Sequence, residues 1–326
     1  MQKYKIKNII NNYVKKKKLY KIIIIIVFQI LLYTYDFNHQ NLKRIENTFL
    51  EPNKYEQDNV TLVSAFYLMK SKHSVYTYIE WLYNLLQLNK SIVFFTEKAF
   101  MKVAKYIRPQ NLYNKTVFIE LEMKDFYSYI NYGKLFENSF KIDREKRRHT
   151  VPLYLIWAEK CAFLRKVIKN NYFNSKCFYW IDSGWFRKSY EMKKYINNWP
   201  SPNKCYEDNR VLINLIRKFS EHDIKGILNF NKKAHKKLQR YTNVAGGMFG
   251  GQPEKLLKFI ELYYKYLTLF ADHQLFVGKD QNIFTYISFS HPDIVNLIYL
   301  FNLHGAFTYF EMLFTIITTT NLSIHK

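Results

Sequence analysis

Cysteine is scarce: Cys161, Cys177 and Cys205 are the only three. So small and odd a number excludes a full disulfide framework, and no Cys/His spacing matches a zinc site. Cys161 and Cys177 lie in apolar runs and read as ordinary buried thiols. No GxGxxG follows the first predicted strand, which argues against a dinucleotide-binding Rossmann site; no GxxxxGK(S/T) is present, which removes a P-loop. RNA-recognition signatures and zinc fingers are missing, so nucleic acid is not an expected partner. Acids are few, 26 against 50 Lys and Arg, for a formal net charge of +24.

What is present is apolar and aromatic. Hydrophobic residues make up 48% of the 326, with 28 Tyr and 27 Phe, which excludes a disordered chain and suffices for a sizeable core. The positive excess attracts anions: nucleotide sugars, acidic glycans, anionic lipid heads or nucleic acid. Short basic clusters stand at 144–148 and 232–240. Lys, Asn, Ile and Tyr are all abundant, as an AT-rich genome would also produce, so no single lysine carries weight by itself.

The first 21 residues hold eight lysines and no acid, and residues 22–35 are apolar apart from Gln29 and Thr34. The run is short for a spanning helix, which needs about 17–25 residues, but Leu19 and Tyr20 extend it if Lys21 snorkels. We read 1–21 as a basic cytoplasmic tail, 22–35 as an uncleaved signal anchor and 36–59 as a polar stem. A cleaved signal peptide and a buried helix are the alternatives. The reading implies a single-pass type II membrane protein, its domain lumenal (Golgi or ER) if the host is eukaryotic. Sequons at Asn59, Asn89, Asn114 and Asn321 would then be usable.

Residues 60–326 read as one α/β domain. Strands are predicted at 61–67, 91–96 and 116–120, and helices at 75–88 and 97–107, giving a βαβαβ start with helices on both faces of a parallel sheet. A long helix is predicted over 152–170, Pro152 suiting its first turn. A buried strand, Cys177-Phe178-Tyr179-Trp180-Ile181, then delivers Asp182 at its carboxyl end, and Gly184 allows a sharp turn. Ligands gather at such strand ends in open α/β sheets; a strand-end Asp also simply caps turns. Residues 187–198 read as helix or loop, and 210–219 are ambiguous between strand and helix. Four of the nine glycines fall at 246, 247, 250 and 251, forming either a strand edge that a ligand approaches or a tight bend. Helices are predicted over 252–269 and from Asp280 to about 288.

Asp280 is read as a sugar-orienting carboxylate or base, or as a helix-start acid favoured by the macrodipole. Lys160 and Lys279 could neutralise phosphate, although the default for each is a solvated charge. Arg187 could pair with diphosphate bidentately or make a surface ion pair. His304 could close a metal site, though a lone histidine is more often structural.

In their order these pieces resemble the HtrL/YibB-like (WlaTC/HtrL) family. The resemblance runs over roughly 60–290 and includes Thr61 to Tyr67, Leu155-Ile156-Trp157-Ala158-Glu159-Lys160, Asn174-Ser175, Trp180-Ile181-Asp182-Ser183-Gly184, Phe186-Arg187, the glycine-rich strand and Gly278-Lys279-Asp280-Gln281. That family looks like GT-A glycosyltransferases. The resemblance implies a GT-A-like (Rossmann-like), mixed, mainly parallel sheet flanked by helices, preceded here by the N-terminal membrane-anchor helix. It implies transfer of a sugar from a nucleoside-diphosphate donor to a glycan or glycoprotein acceptor, assisted by Mn²⁺ or Mg²⁺. Asp182 would match the last acid of the DxD-type motif and bind metal, with His304 a weaker ligand candidate. Trp180 stands where the first acid would be, which leaves more of the coordination to diphosphate and water. Asp182 and Asp280 would be catalytic. Thr61, Ala65, Phe66, Lys160, Trp180, Ser183, Arg187, Asn243, Gly246, Gly247, Lys279 and Gln281 would bind the donor. A non-catalytic basic protein on the same fold, recognising anionic glycans or nucleic acid, is the alternative.

Overall fold

A computed structural model describes residues 55–299, except 71, 191, 192, 194–198, 201 and 242. Seven strands form one sheet: β1 (Val60–Phe66), β2 (Ser91–Thr96), β3 (Thr116–Glu120), β4 (Cys177–Ile181), β5 (Val211–Leu215), β6 (Val244–Gly251) and β7 (Val295–Tyr299), in the order β3-β2-β1-β4-β6-β5-β7. The pairs β1–β2, β2–β3, β1–β4 and β5–β7 are parallel. Among the described strands only β6 runs the other way, antiparallel to both neighbours. The fold is therefore mixed α/β with a mostly parallel sheet, as anticipated.

The helices are α1 (Val75–Leu86), α2 (Lys98–Ile107), α3 (Tyr127–Lys141), α4 (Val151–Asn170), α5 (Pro202–Glu207), α6 (Glu221–Leu228), α7 (Lys232–Arg240), α8 (Pro253–Asp272) and α9 (Asp280–Ser290). Strand side chains alternate between two cores. Val63, Ala65, Phe178, Trp180 and Phe249 pack with α3, α4, α8 and α9 on one face. Leu62, Phe66, Cys177, Tyr179, Ile181 and Met248 pack with α1 and α2 on the other. Burying each such large side chain contributes about 1.5–3 kcal/mol.

Two polar devices pin the sheet. Arg108, almost wholly buried, donates to the carbonyls of Leu86, Leu88 and Lys90 and to Thr116 Oγ1 at 2.7–2.8 Å, closing the turn between α1 and β2; burial pushes its guanidinium down to about 9. Asp58 accepts from the backbone N–H of Val60 and of Ser91. Glu56 is bonded to Asn114 and Tyr55 packs edge-on against Phe173, so residues 55–59 make contacts with the sheet domain.

Cysteine corrects an expectation. Cys177 is not a free thiol: it is bridged to Cys205, tying β4 to α5, while Cys161 is free and buried. Among the described residues no helix is long and apolar enough to cross a membrane; the predicted anchor, 22–35, lies outside them.

Candidate functional site

Because β6 is reversed, its first residues stand at the same sheet end as the last residues of β4. Ile181 faces Met248 in register, and the N–H of Asp182 donates to the carbonyl of Gly247 at 2.8 Å. Asp182 thus lies against the glycine edge, at the carboxyl ends of the parallel strands. Its side chain continues the alternation of Phe178 and Trp180 and points to the α4–α9 face.

On that face α4 carries Leu153, Ile156, Trp157 and Lys160 at helical spacing, all lining one cleft. Thr150 caps this helix by accepting from the Leu153 N–H. Lys160 is buried, 2% exposed. Its Nζ lies 3.2 Å from Asp182 Oδ1 and 2.9 Å from Asp280 Oδ2, and donates to the Gly246 carbonyl at 2.8 Å. Burial alone would lower this ammonium, but the two carboxylates outweigh it and hold it above its ordinary value. Asp280, 4% exposed, is held above its ordinary value: burial raises it more than Lys160 lowers it, and Asp182 adds to the rise. Its Oδ1 accepts from the Gln281 N–H at 2.8 Å.

Trp180 is a holder here. Its indole Nε1 donates to Asp182 Oδ1 at 2.7 Å, and Lys160 Nζ lies 5.7 Å from its ring centroid. The glycines are required by close approach. A Cβ on Gly246 would meet Asp280 Oδ2 at 2.9 Å, and one on Gly247 would meet Asp182 Oδ2 at 3.2 Å.

The cleft has a volume of about 580 Å³, within the range of small-molecule sites. Lys72, Arg148, Arg187 and Lys279 give it positive walls, and Phe66, Tyr67, Trp81, Trp157 and Trp185 give it aromatic ones. The Arg187 guanidinium lies 4.7 Å from the Trp81 ring centroid. Lys279 pairs with Glu145 and donates to the Gln239 carbonyl.

Of the residues singled out by sequence, Ala65, Phe66, Lys160, Trp180, Asp182, Ser183, Arg187, Gly246, Gly247, Lys279, Asp280 and Gln281 all line this cleft. Two others are placed elsewhere. Thr61 is buried at the opposite end of β1, hydrogen-bonded to Ser175 Oγ at 2.8 Å. Asn243 is buried and donates to the carbonyls of Leu238 and Tyr241, holding the turn into β6. His304 lies outside the described residues. Lys160 and Lys279 are not the solvated charges that their abundance suggested. The cleft also takes in Lys72, Trp81, His149 and Trp185, which sequence reasoning did not single out, and Tyr67, Arg148 and Trp157, which it noted without assigning them to a site; only the fold gathers them.

The donor set does not fit a divalent cation held by protein alone. Asp182 Oδ1 is taken by Trp180 and Lys160, Asp280 is paired with Lys160, and among the described residues no group of three His, Cys, Asp or Glu could hold a metal.

The chain matches none of the curated proteins with which it was compared. Residues 58–313 match the family described as "Bacterial protein of unknown function (HtrL_YibB)", and the chain belongs to that family.

Proposed function

We propose that this protein is a glycosyltransferase of GT-A-like architecture that takes a sugar from a nucleoside diphosphate and passes it to a glycan or protein acceptor. One observation carries the reading: a carboxylate, Asp182, ends a central strand and faces a side-chain-free edge in a cleft walled by cations and aromatic rings. Aromatic walls suit a base, cationic walls suit a diphosphate, and a glycine edge lets a sugar approach the backbone.

The chemical demand is to stabilise charge growing on the departing diphosphate. Arg148 and Arg187 line the cleft and would meet that charge, while Asp182 and Asp280, fixed by Lys160, would orient the sugar hydroxyls. The Cys177–Cys205 bridge supports a domain that folds on the oxidising side of a membrane, in keeping with an anchor at 22–35.

The test is a thermal-shift screen of UDP, GDP and their sugars, with and without Mn²⁺, since a ligand that binds only the native state raises stability. Release of UDP or GDP is then compared between wild type and Asp182→Ala. A donor that shifts the wild type and is turned over only by it supports the proposal; no shift with any donor overturns it. The pairing of both acids with Lys160 favours one second reading, a non-catalytic binder of anionic glycans or nucleic acid. That reading predicts affinity for a polyanion and no donor turnover.

A further inference from the structure

Transfer by direct displacement needs a group to take the acceptor's hydroxyl proton, and both cleft acids are already engaged with Lys160. Asp280 is sealed, one oxygen on the Gln281 N–H and the other against Lys160. Asp182 Oδ1 is held by Trp180 and Lys160, and the rest of this 42%-exposed side chain is the part assigned above to the sugar hydroxyls. A base needs a lone pair that a substrate can reach.

The segment between α3 and α4 supplies one. His149 lines the cleft, its ring edge-on to Trp157 with centroids 5.3 Å apart. Its Nδ1 lies 2.8 Å from Asp143 Oδ2. Asp143 is 4% exposed; the same oxygen accepts from the Tyr154 hydroxyl, and its Oδ1 accepts from the Glu145 N–H at 2.8 Å. Burial alone would raise the Asp143 carboxyl, but the bonds from His149, Tyr154 and the Glu145 backbone outweigh it and hold the acid below its ordinary value. A buried carboxylate facing Nδ1 assigns the proton to that nitrogen and leaves the lone pair on Nε2. Charged groups beside the ring include Asp143, Glu145 (Oε2 at 4.0 Å from Nε2) and, through Glu145, Lys279. Tyr154 also touches the segment that leads into Asp280: a Cβ on Gly278 would come within 2.7 Å of Tyr154 Cζ. The dyad and the Lys160 cluster therefore flank one cleft.

We infer that His149 is the general base of the transfer and that Asp143 positions it, an inference resting on the function proposed above. The acceptor's O–H proton passes to His149 Nε2. The oxygen's freed electron pair forms the bond to the anomeric carbon, and the bond from that carbon to the diphosphate oxygen breaks, its pair leaving with the diphosphate. The imidazolium then returns its proton to solvent. The arrangement has the logic of a histidine base oriented by a buried acid.

The experiment uses the full chain and four probes: UDP-glucose, UDP-galactose, UDP-N-acetylglucosamine and GDP-mannose. Water serves as acceptor, and release of UDP or GDP is measured. His149→Ala and His149→Gln should keep the donor-induced thermal shift and lose about 10²–10⁴-fold in turnover. Imidazole added to His149→Ala should restore part of the rate, which loss of packing alone would not allow. Asp143→Asn should lower kcat with little change in KM for the donor, and Asp143→Glu should recover part of it. Wild type that no donor stabilises overturns the function and this inference together. Wild-type turnover matched within about threefold by His149→Gln, or a loss in His149→Ala that imidazole does not repair, overturns the base assignment and leaves the transferase reading standing.

Discussion

Lys160 Nζ and Asp280 Oδ2 stand 2.9 Å apart with both side chains almost sealed from water. An ion pair that deep is costly to form and costlier to break, because removing one partner strands the other's charge. Lys160→Met should therefore lower stability by about 3–5 kcal/mol at neutral pH. Asp280 is already raised by burial, so acid should soften the loss as the stranded carboxyl takes up a proton. Adding Asp280→Asn should restore part of the stability. Urea unfolding of the two single variants and the double variant gives the coupling directly; additive losses would show that the contact is not energetically coupled.

Glycines of β6 should separate folding from binding. A Cβ on Gly250 would come 2.1 Å from the Phe178 carbonyl and 2.6 Å from Tyr179 Cα, both backbone atoms. Gly250→Ala should cost more than about 4 kcal/mol or prevent folding. A Cβ on Gly247 meets the ends of side chains instead, Trp185 Cζ3 at 3.0 Å and Asp182 Oδ2 at 3.2 Å. Gly247→Ala should fold with a modest loss and show a much smaller thermal shift with UDP or GDP.

The Cys177–Cys205 bridge spans a sequence separation of 28. Loop-closure entropy gives a crosslink of that length about 3–4 kcal/mol. Dithiothreitol should lower the melting temperature of the wild type and leave a Cys177→Ser/Cys205→Ser variant unmoved. The enclosed chain includes Ser183, Gly184, Trp185 and Arg187 of the cleft wall, so reduction should also weaken nucleotide binding.

Asp143 predicts a contribution to acid sensitivity. Its folded-state carboxyl is held below the ordinary value, so the native fold favours its charged form. That stabilisation is complete above the unfolded value of about 4 and fades as pH falls through the lower folded value. Asp143→Asn should be less stable than wild type at pH 6, with the difference narrowing below about pH 4. Denaturant midpoints at a series of pH values check this; a constant difference would exclude it.

Much of this architecture was legible in the sequence because β1, β2, β3 and β4 are short apolar runs bounded by polar turns, and that pattern is local. The same holds for α4, whose first turn is marked by Pro152. By contrast α3 was not foreseen: its Tyr, Asn, Ser and Lys residues leave Tyr129 and Ile130 exposed, and such a surface carries no clear period. The direction of β6 is set by pairing with partners far away in the chain, and no local pattern encodes it.

Within the cleft, Asp182, Asp280 and the paired glycines are legible because the first ends an apolar strand, the second opens a helix and the glycines cluster in six residues. Lys160 was named but could not be told from the many lysines around it, since burial is a property of the fold. His149 and Asp143 flank a segment, 144–148, that reads as a basic surface cluster, and their meeting depends on how α3 hands the chain to α4. A histidine just before a Thr-Val-Pro helix start was the one available hint.

The reversal of β6 leaves peptide groups, not side chains, as the floor beneath Asp182. Such a floor is chemically monotonous: point mutation can clog it but cannot teach it a new preference. If the cleft binds a ligand, any change in its preference must accordingly be written in the walls around that floor, in loops at Lys72, Arg148 and Arg187 and on α4 at Trp157.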